Sequence, residues 1–96
     1  MSRITKSAKG RQCTARIPGI CCHDPETTVW AHIRGVRWGA GTGQKPPDII
    51  GLFACKDCHD VIDRRVRSSH DRDFIDLCVA RGHYESLMIL YDEDII

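Results

Sequence analysis

The sequence predicts a small α+β domain: a strand, a long loop, a second strand and a helix, with further helices after them. Three observations carry this. Six cysteines occur in 96 residues. Two short segments rich in β-branched and aromatic or aliphatic residues flank a stretch rich in glycine and proline. Helical periodicity begins inside a Cys-x-x-Cys that closes the second of these segments.

Ninety-six residues make one domain, expected to run over residues 1–96 with a basic arm at residues 1–10. Hydrophobic residues at 42% and charged residues at 28% are ordinary globular composition, not that of a disordered chain. Fourteen Lys and Arg against 13 Asp and Glu leave a net charge of +1, which excludes a histone-like or polybasic protein. The longest strongly apolar stretch, Ile49 to Cys55, is too short to span a bilayer. The basic N-terminus is not followed by the apolar segment of a secretory signal, so a cytoplasmic location is expected. In that compartment clustered cysteines point to metal rather than to disulfides. A core this small roughly balances its own chain entropy. A structural zinc, contributing on the order of 10 kcal/mol, is a common remedy.

The elements follow in order. Residues 1–23 carry Arg3, Lys6, Lys9, Arg11 and Arg16 and no acid, whereas Asp92 to Ile96 carry three acids. The basic arm is suited to a phosphate backbone or to solvent. Thr27 to Arg34 reads as the first strand. Gly35 to Pro47, with four glycines, is a loop long enough to suggest function. Asp48 to Cys55 reads as the second strand, with Gly51 a candidate bulge. From Lys56 to about Arg67 the spacing of Val61, Ile62 and Val66 is helical. A second helix runs from a cap at Ser69 or Asp71 to Arg81, with Gly82 as its stop. Residues 84–91 form a short last helix.

Cys55-Lys56-Asp57-Cys58 sits at the strand–helix junction, where a turn lets two thiolates grip one ion. Zinc takes four such ligands tetrahedrally. The other two come from Cys13, Cys21 and Cys22. Cys13 and Cys21 enclose seven residues including Pro18 and Gly19, which can fold back as a loop. The expected quartet is Cys13, Cys21, Cys55 and Cys58, with Cys22 the substitute for Cys21. Cys78 lies on an apolar helix face and reads as a small hydrophobe. His59 points away from the zinc sulfurs, and Asp63 is one turn further on. That pair suits either a second, hard divalent ion or an ordinary surface contact. His32 closes the first strand beside Arg34 and Arg37. An imidazole titrates near neutrality and can take a proton from water, while arginines hold the phosphate that the water attacks.

A histidine on a first strand, a long loop, and a second strand ending in Cys-x-x-Cys-His before a helix resembles the His-metal finger (HNH, or ββα-metal) endonucleases. Within them the chain is similar to the prophage YbcO-like nuclease family. The residues that carry the resemblance are Gly10-Arg11-Gln12-Cys13, Arg16-Ile17-Pro18-Gly19, Cys21, Pro25-Glu26-Thr27-Thr28, Ala31-His32-Ile33-Arg34, the stretch Gly41 to Asp48, Ala54-Cys55, Cys58-His59-Asp60 and Ile62-Asp63-Arg64-Arg65. They cover nearly the whole chain. The resemblance implies a zinc-stabilised ββα-metal core with added C-terminal helices, and a phage-derived, metal-dependent DNA endonuclease. In it His32 is the general base. His59, with Asp63, holds catalytic Mg²⁺ or Mn²⁺. Arg34, Arg37 and Lys45 contact nucleic acid. The spacing of Asp48 before Cys55 also looks like that of phage recombination nucleases, which implies a recombination protein as a partner.

The chain departs from the wider superfamily at two places. Ala31 stands where many members have an Asp or His metal ligand, and Ile50 stands where an Asn usually orients the base. Asp48 is available for one of these roles and Asp63 for completing the metal site. The competing reading is a non-catalytic zinc module that binds nucleic acid or a recombination or replication protein. Both readings need the zinc; only the enzyme needs His32 and His59.

Overall fold

The structure, a computed structural model, describes residues 3–33 and 47–96. Its elements are helix α1 (Arg3–Lys6), a 3₁₀ turn (Pro25–Thr27), strand β1 (Val29–His32), strand β2 (Gly51–Ala54), helix α2 (Lys56–Ile62) and helix α3 (Arg72–Asp92). The strands pair antiparallel, with Val29 opposite Ala54 and His32 opposite Gly51. The chain is thus a small α+β unit of one two-stranded sheet and three α-helices among the described residues.

Alternation along the strands divides the interior in two. Ala31, Leu52 and Ala54 enter a core with Ala15, Ile17, Ile75, Val79, Cys13, Cys55, Cys58 and Cys78. Trp30 and Phe53, directly opposite each other, enter a second core with Ala8 and Leu90. Their rings meet edge-on at 5.1 Å. β2 is therefore buried on both faces.

A two-stranded sheet leaves an outer edge whose polar groups need partners. Here the Phe53 carbonyl accepts from the Thr14 backbone N–H at 2.8 Å and from Thr14 Oγ1 at 2.9 Å. The Phe53 N–H donates to Ser86 Oγ at 3.0 Å, and that hydroxyl also meets Thr14 Oγ1 at 3.0 Å. This explains a fully buried serine in the middle of α3.

Several expected boundaries move. Thr27 belongs to the 3₁₀ turn, whose N-cap Asp24 accepts from the Glu26 N–H, so β1 starts at Val29. Pro47–Ile50 closes a turn through Ile50 N–H to Pro47 C=O, so β2 starts at Gly51. Gly51 is not a bulge, because it stays in register with His32. It is glycine because a Cβ there would lie 2.6 Å from Trp30 Nε1 and 2.8 Å from the Ala31 carbonyl. α2 stops at Ile62 rather than near Arg67, since Arg64 takes a left-handed φ of 63°.

The largest correction is that the two expected last helices are one. Gly82 does not stop α3 but lies buried inside it. A Cβ there would lie 2.7 Å from Leu52 Cδ1 and 3.1 Å from the Thr14 carbonyl, so the glycine serves close helix–strand approach. The basic arm is docked. Ile4 and Ala8 pack on the second core, Arg3 bonds the Asp94 carbonyl, and Arg11 makes a bidentate ion pair with Glu93. The basic beginning of the chain is thereby tied to its acidic end.

Candidate metal centre and paired histidines

Cys55 is the N-cap of α2, and its Sγ accepts from the Cys58 N–H at 3.4 Å. This is the local reason that Cys-x-x-Cys turns both sulfurs to one point. Cys13 and Cys21 reach the same point across the 14–20 loop. The four ligand atoms of Cys13, Cys21, Cys55 and Cys58 all lie within 4.8 Å of one another. Three residues in left-handed conformation shape the upstream half, Arg16 at φ 43°, Gly19 at φ 74° and His23 at φ 56°. The Arg16 N–H approaches Cys13 Sγ at 3.5 Å. Cys22 is exposed and its Sγ faces Thr27 Oγ1 at 3.4 Å, so Cys21 completes the quartet.

The donor set fits zinc. A tetrahedron with Zn–S of about 2.3 Å has an S···S edge of about 3.8 Å. The Cys55–Cys21 sulfurs lie 3.8 Å apart. Electrostatics agree: the Cys58 thiol donates to Cys13 and holds Cys13 down at about 4 as a thiolate, with burial acting against this and backbone N–H groups assisting. The proton stays on Cys58, whose pKa is raised first by that same bond and then by burial. Burial likewise pushes Cys21 up to about 11. Four cysteine sulfurs crowded into a mostly buried pocket gain a common partner when a divalent ion replaces the remaining thiol protons.

Two histidine–carboxylate pairs lie outside this cluster. His32, the last residue of β1, meets Asp48 with Nε2···Oδ1 at 2.8 Å. Asp48 is placed by the Pro47–Ile50 turn and by its own carbonyl, which accepts from Trp30 Nε1 at 2.7 Å. Trp30 and His32 are two apart on β1, so one strand face sets both contacts. With Nε2–H given to Asp48, a neutral ring keeps its lone pair on Nδ1. His59 and Asp63 meet at 3.0 Å across one turn of helix, and Arg65 grips both Asp63 at 2.7 Å and Asp60 at 2.9 Å. Among the described residues the cysteine quartet is the only group of three or more potential ligands this close together; each histidine pair remains a pair. Arg34, Arg37 and Lys45 lie outside the described residues.

A basic cleft of about 310 Å³ between α2 and α3 has no counterpart among the sequence-based expectations. Arg64, Arg67, His70 and Arg72 line it. Arg72 is spent on the Val61 and Ile62 carbonyls and on Asp76. Arg64 and Arg67 are exposed. The run Arg64-Arg65-Val66-Arg67 is the signal that could have revealed it, although by itself the run reads equally as the end of a helix.

The family model described as "Putative nuclease YbcO" matches residues 2–95. The chain belongs to the YbcO family. Two YbcO relatives are each 44% identical over 96 residues, covering 100% of this chain and 98% of their own: "Putative nuclease YbcO" of Escherichia coli (strain K12) and "Putative nuclease ybcO" of Enterobacteria phage 82. A solved structure of a putative bacteriophage protein from Escherichia coli K-12 superposes with a TM-score of 0.80 at 42% identity. It covers 95% of this chain and 99% of that one. The chain thus has a phage-borne relative and a solved neighbour of the same fold. No described helix is long and apolar enough to cross a membrane.

Proposed function

We propose that the protein is a metal-dependent endonuclease that hydrolyses DNA phosphodiesters on a zinc-stapled ββα-metal core. The carrying observation is the His32–Asp48 pair at 2.8 Å, outside the cysteine cluster and so not needed to build it. The printed name of the YbcO relatives, "Putative nuclease", supports the class of reaction.

In this reading Asp48 orients His32 and stabilises the imidazolium that forms. His32 Nδ1 takes a proton from water as the water oxygen attacks phosphorus. The bond from phosphorus to the leaving sugar oxygen breaks, and the electron pair stays on that oxygen. Mg²⁺ or Mn²⁺ bound by His59 would supply positive charge for the phosphate and the leaving oxygen. Asp63 accepts from His59 Nε2 and fits an orienting partner better than a second ligand, because Arg65 already neutralises it. Asp48 thus takes the place of the superfamily's missing Asn. Arg64 and Arg67 join Arg34, Arg37 and Lys45 as contacts for the phosphate backbone.

The test is cleavage of single- and double-stranded DNA by zinc-loaded protein with Mg²⁺ or Mn²⁺ added. His32→Ala should lower the rate about 10²–10⁴-fold, as general-base loss does, and excess metal should not restore it. Asp48→Asn should also lower the rate, by up to about 10⁴-fold, because an amide no longer holds the base in the right tautomer. His59→Ala should be rescued in part by excess metal. Clean wild-type protein that binds DNA yet cuts no substrate with either ion would replace the enzyme with the zinc-module reading.

A further inference from the structure

Helix α3 is apolar on two opposite faces. Ile75, Cys78, Val79, Gly82, Ser86 and Leu90 face the interior. At about 100° per residue, Phe74, Leu77, Arg81, Tyr84, Met88 and Tyr91 lie on the far side. Their spacing is 3, 4, 3, 4, 3, the seam of a helix that packs against another helix. All are exposed: Leu77, Tyr84 and Tyr91 at 66%, 68% and 67%, Met88 at 45% and Phe74 at 38%. A surface helix ordinarily turns polar residues outward. Here Arg81 is the one charge in the seam.

We propose that this seam pairs antiparallel with the same seam of a second copy of the chain, giving a twofold dimer. Self-complementarity selects this occupant. Positions that sum to 165 face each other across an antiparallel twofold axis. Phe74 meets the partner's Tyr91, Leu77 meets the partner's Met88, and Arg81 meets the partner's Tyr84. Phe74, Leu77, Met88 and Tyr91 each find an apolar or aromatic mate. The lone cation finds an aromatic face, the geometry of a cation–π contact. The Arg81 guanidinium is already held in place by the Ala15 carbonyl at 2.8 Å. Parallel pairing would instead set Arg81 against the partner's Arg81.

Area points the same way. Two-thirds of a side chain that buries roughly 150–250 Å² gives about 130 Å² for each tyrosine. With Leu77, Met88 and Phe74 the seam offers roughly 600 Å², or about 1,200 Å² over two copies, the lower bound of stable specific interfaces. A largely apolar surface of this size is at the top of the roughly 300–600 Å² that the largest patch on a monomer reaches, where such patches are often functional.

The experiment is sedimentation equilibrium of the full zinc-loaded chain with complementary charge variants. Wild type should sediment at twice the 10.9 kDa chain mass at tens of micromolar. Leu77→Lys and Met88→Glu each spoil two symmetry-related contacts, and each alone should weaken association about 100-fold or more. Mixed together they should pair again. The antiparallel heterodimer sets Lys against Glu at one contact and keeps Leu against Met at the other. Both side chains are exposed, so zinc content and circular dichroism should match wild type. A wild type that stays monomeric at about 200 micromolar, far above the tens of micromolar expected for pairing, overturns the proposal. So do single variants that remain dimeric, or a mixture that does not recover, as parallel pairing would require.

Discussion

Cys21→Ser and Cys22→Ser change neighbouring residues by one atom, yet the structure assigns them different consequences. Cys21 Sγ lies 3.8 Å from Cys55 Sγ inside the four-sulfur cluster, while Cys22 is exposed against Thr27. A structural zinc contributes about 10–16 kcal/mol of apparent folding free energy, or roughly 2.5–4 kcal/mol per ligand if shared equally. At 0.05–0.15 kcal/mol per residue, a chain of this length has only about 5–14 kcal/mol of net stability. Cys21→Ser should therefore weaken zinc binding about 100- to 1,000-fold and lower the melting temperature by well over about 10 °C. Cys22→Ser should change stability by no more than about 0.5 kcal/mol, as surface substitutions do, and leave zinc affinity as it is. Zinc affinity is read by competition with a chromophoric chelator. Cobalt substitution reports the site directly, through the intense visible bands of a tetrahedral thiolate complex. Equal effects of the two variants, or a wild type that binds no metal and stays folded in strong chelator, would refute the quartet.

Other outcomes follow from the same contacts. Ser86→Ala leaves the buried Phe53 N–H without its acceptor and should cost about 1–3 kcal/mol in urea unfolding, with zinc content unchanged. Arg11 bonds Glu93 and holds its carboxyl below the ordinary 4.5. The stability from that pair is complete above pH 4.5 and declines as the pH falls through the lowered value. Glu93→Gln should therefore narrow the difference in urea midpoint between about pH 6 and about pH 3, and added salt should mimic it. Arg64→Ala with Arg67→Ala should reduce the slope of log affinity for duplex DNA against log salt by about 1.8, or 0.9 for each phosphate no longer neutralised. An unchanged slope would remove the α2–α3 cleft from the DNA surface.

The local features were legible in the sequence because their causes are local. Cys55 and Cys58 share a ligand point since a strand–helix turn brings residues three apart together. The two strands announce themselves through β-branched and aromatic runs, and Trp30 opposite Phe53 fills the interior they predict. Cys78 is the buried small side chain its helix face implied. His32 and Asp48 were both visible as candidates. Their pairing depends on strand register and on the turn at Pro47–Ile50, which join residues 16 apart in a way that no local pattern encodes.

The remainder was decided by tertiary structure. Cys21 prevails over Cys22 because the 14–20 loop, bent by a left-handed Arg16, delivers one sulfur and turns the other to Thr27. Gly82 reads as a helix stop only until Leu52 and Thr14 are seen pressing on it, where the absence of a side chain is what packing requires. The basic arm reads as free in the sequence because its partners, Glu93 and the Asp94 carbonyl, lie 82 and 91 residues away. The apolar residues of α3 can be counted in the sequence. Which of them face the core and which face outward depends on where β2 sits, because a helix that is apolar on two opposite faces has no inward side until something packs against one of them.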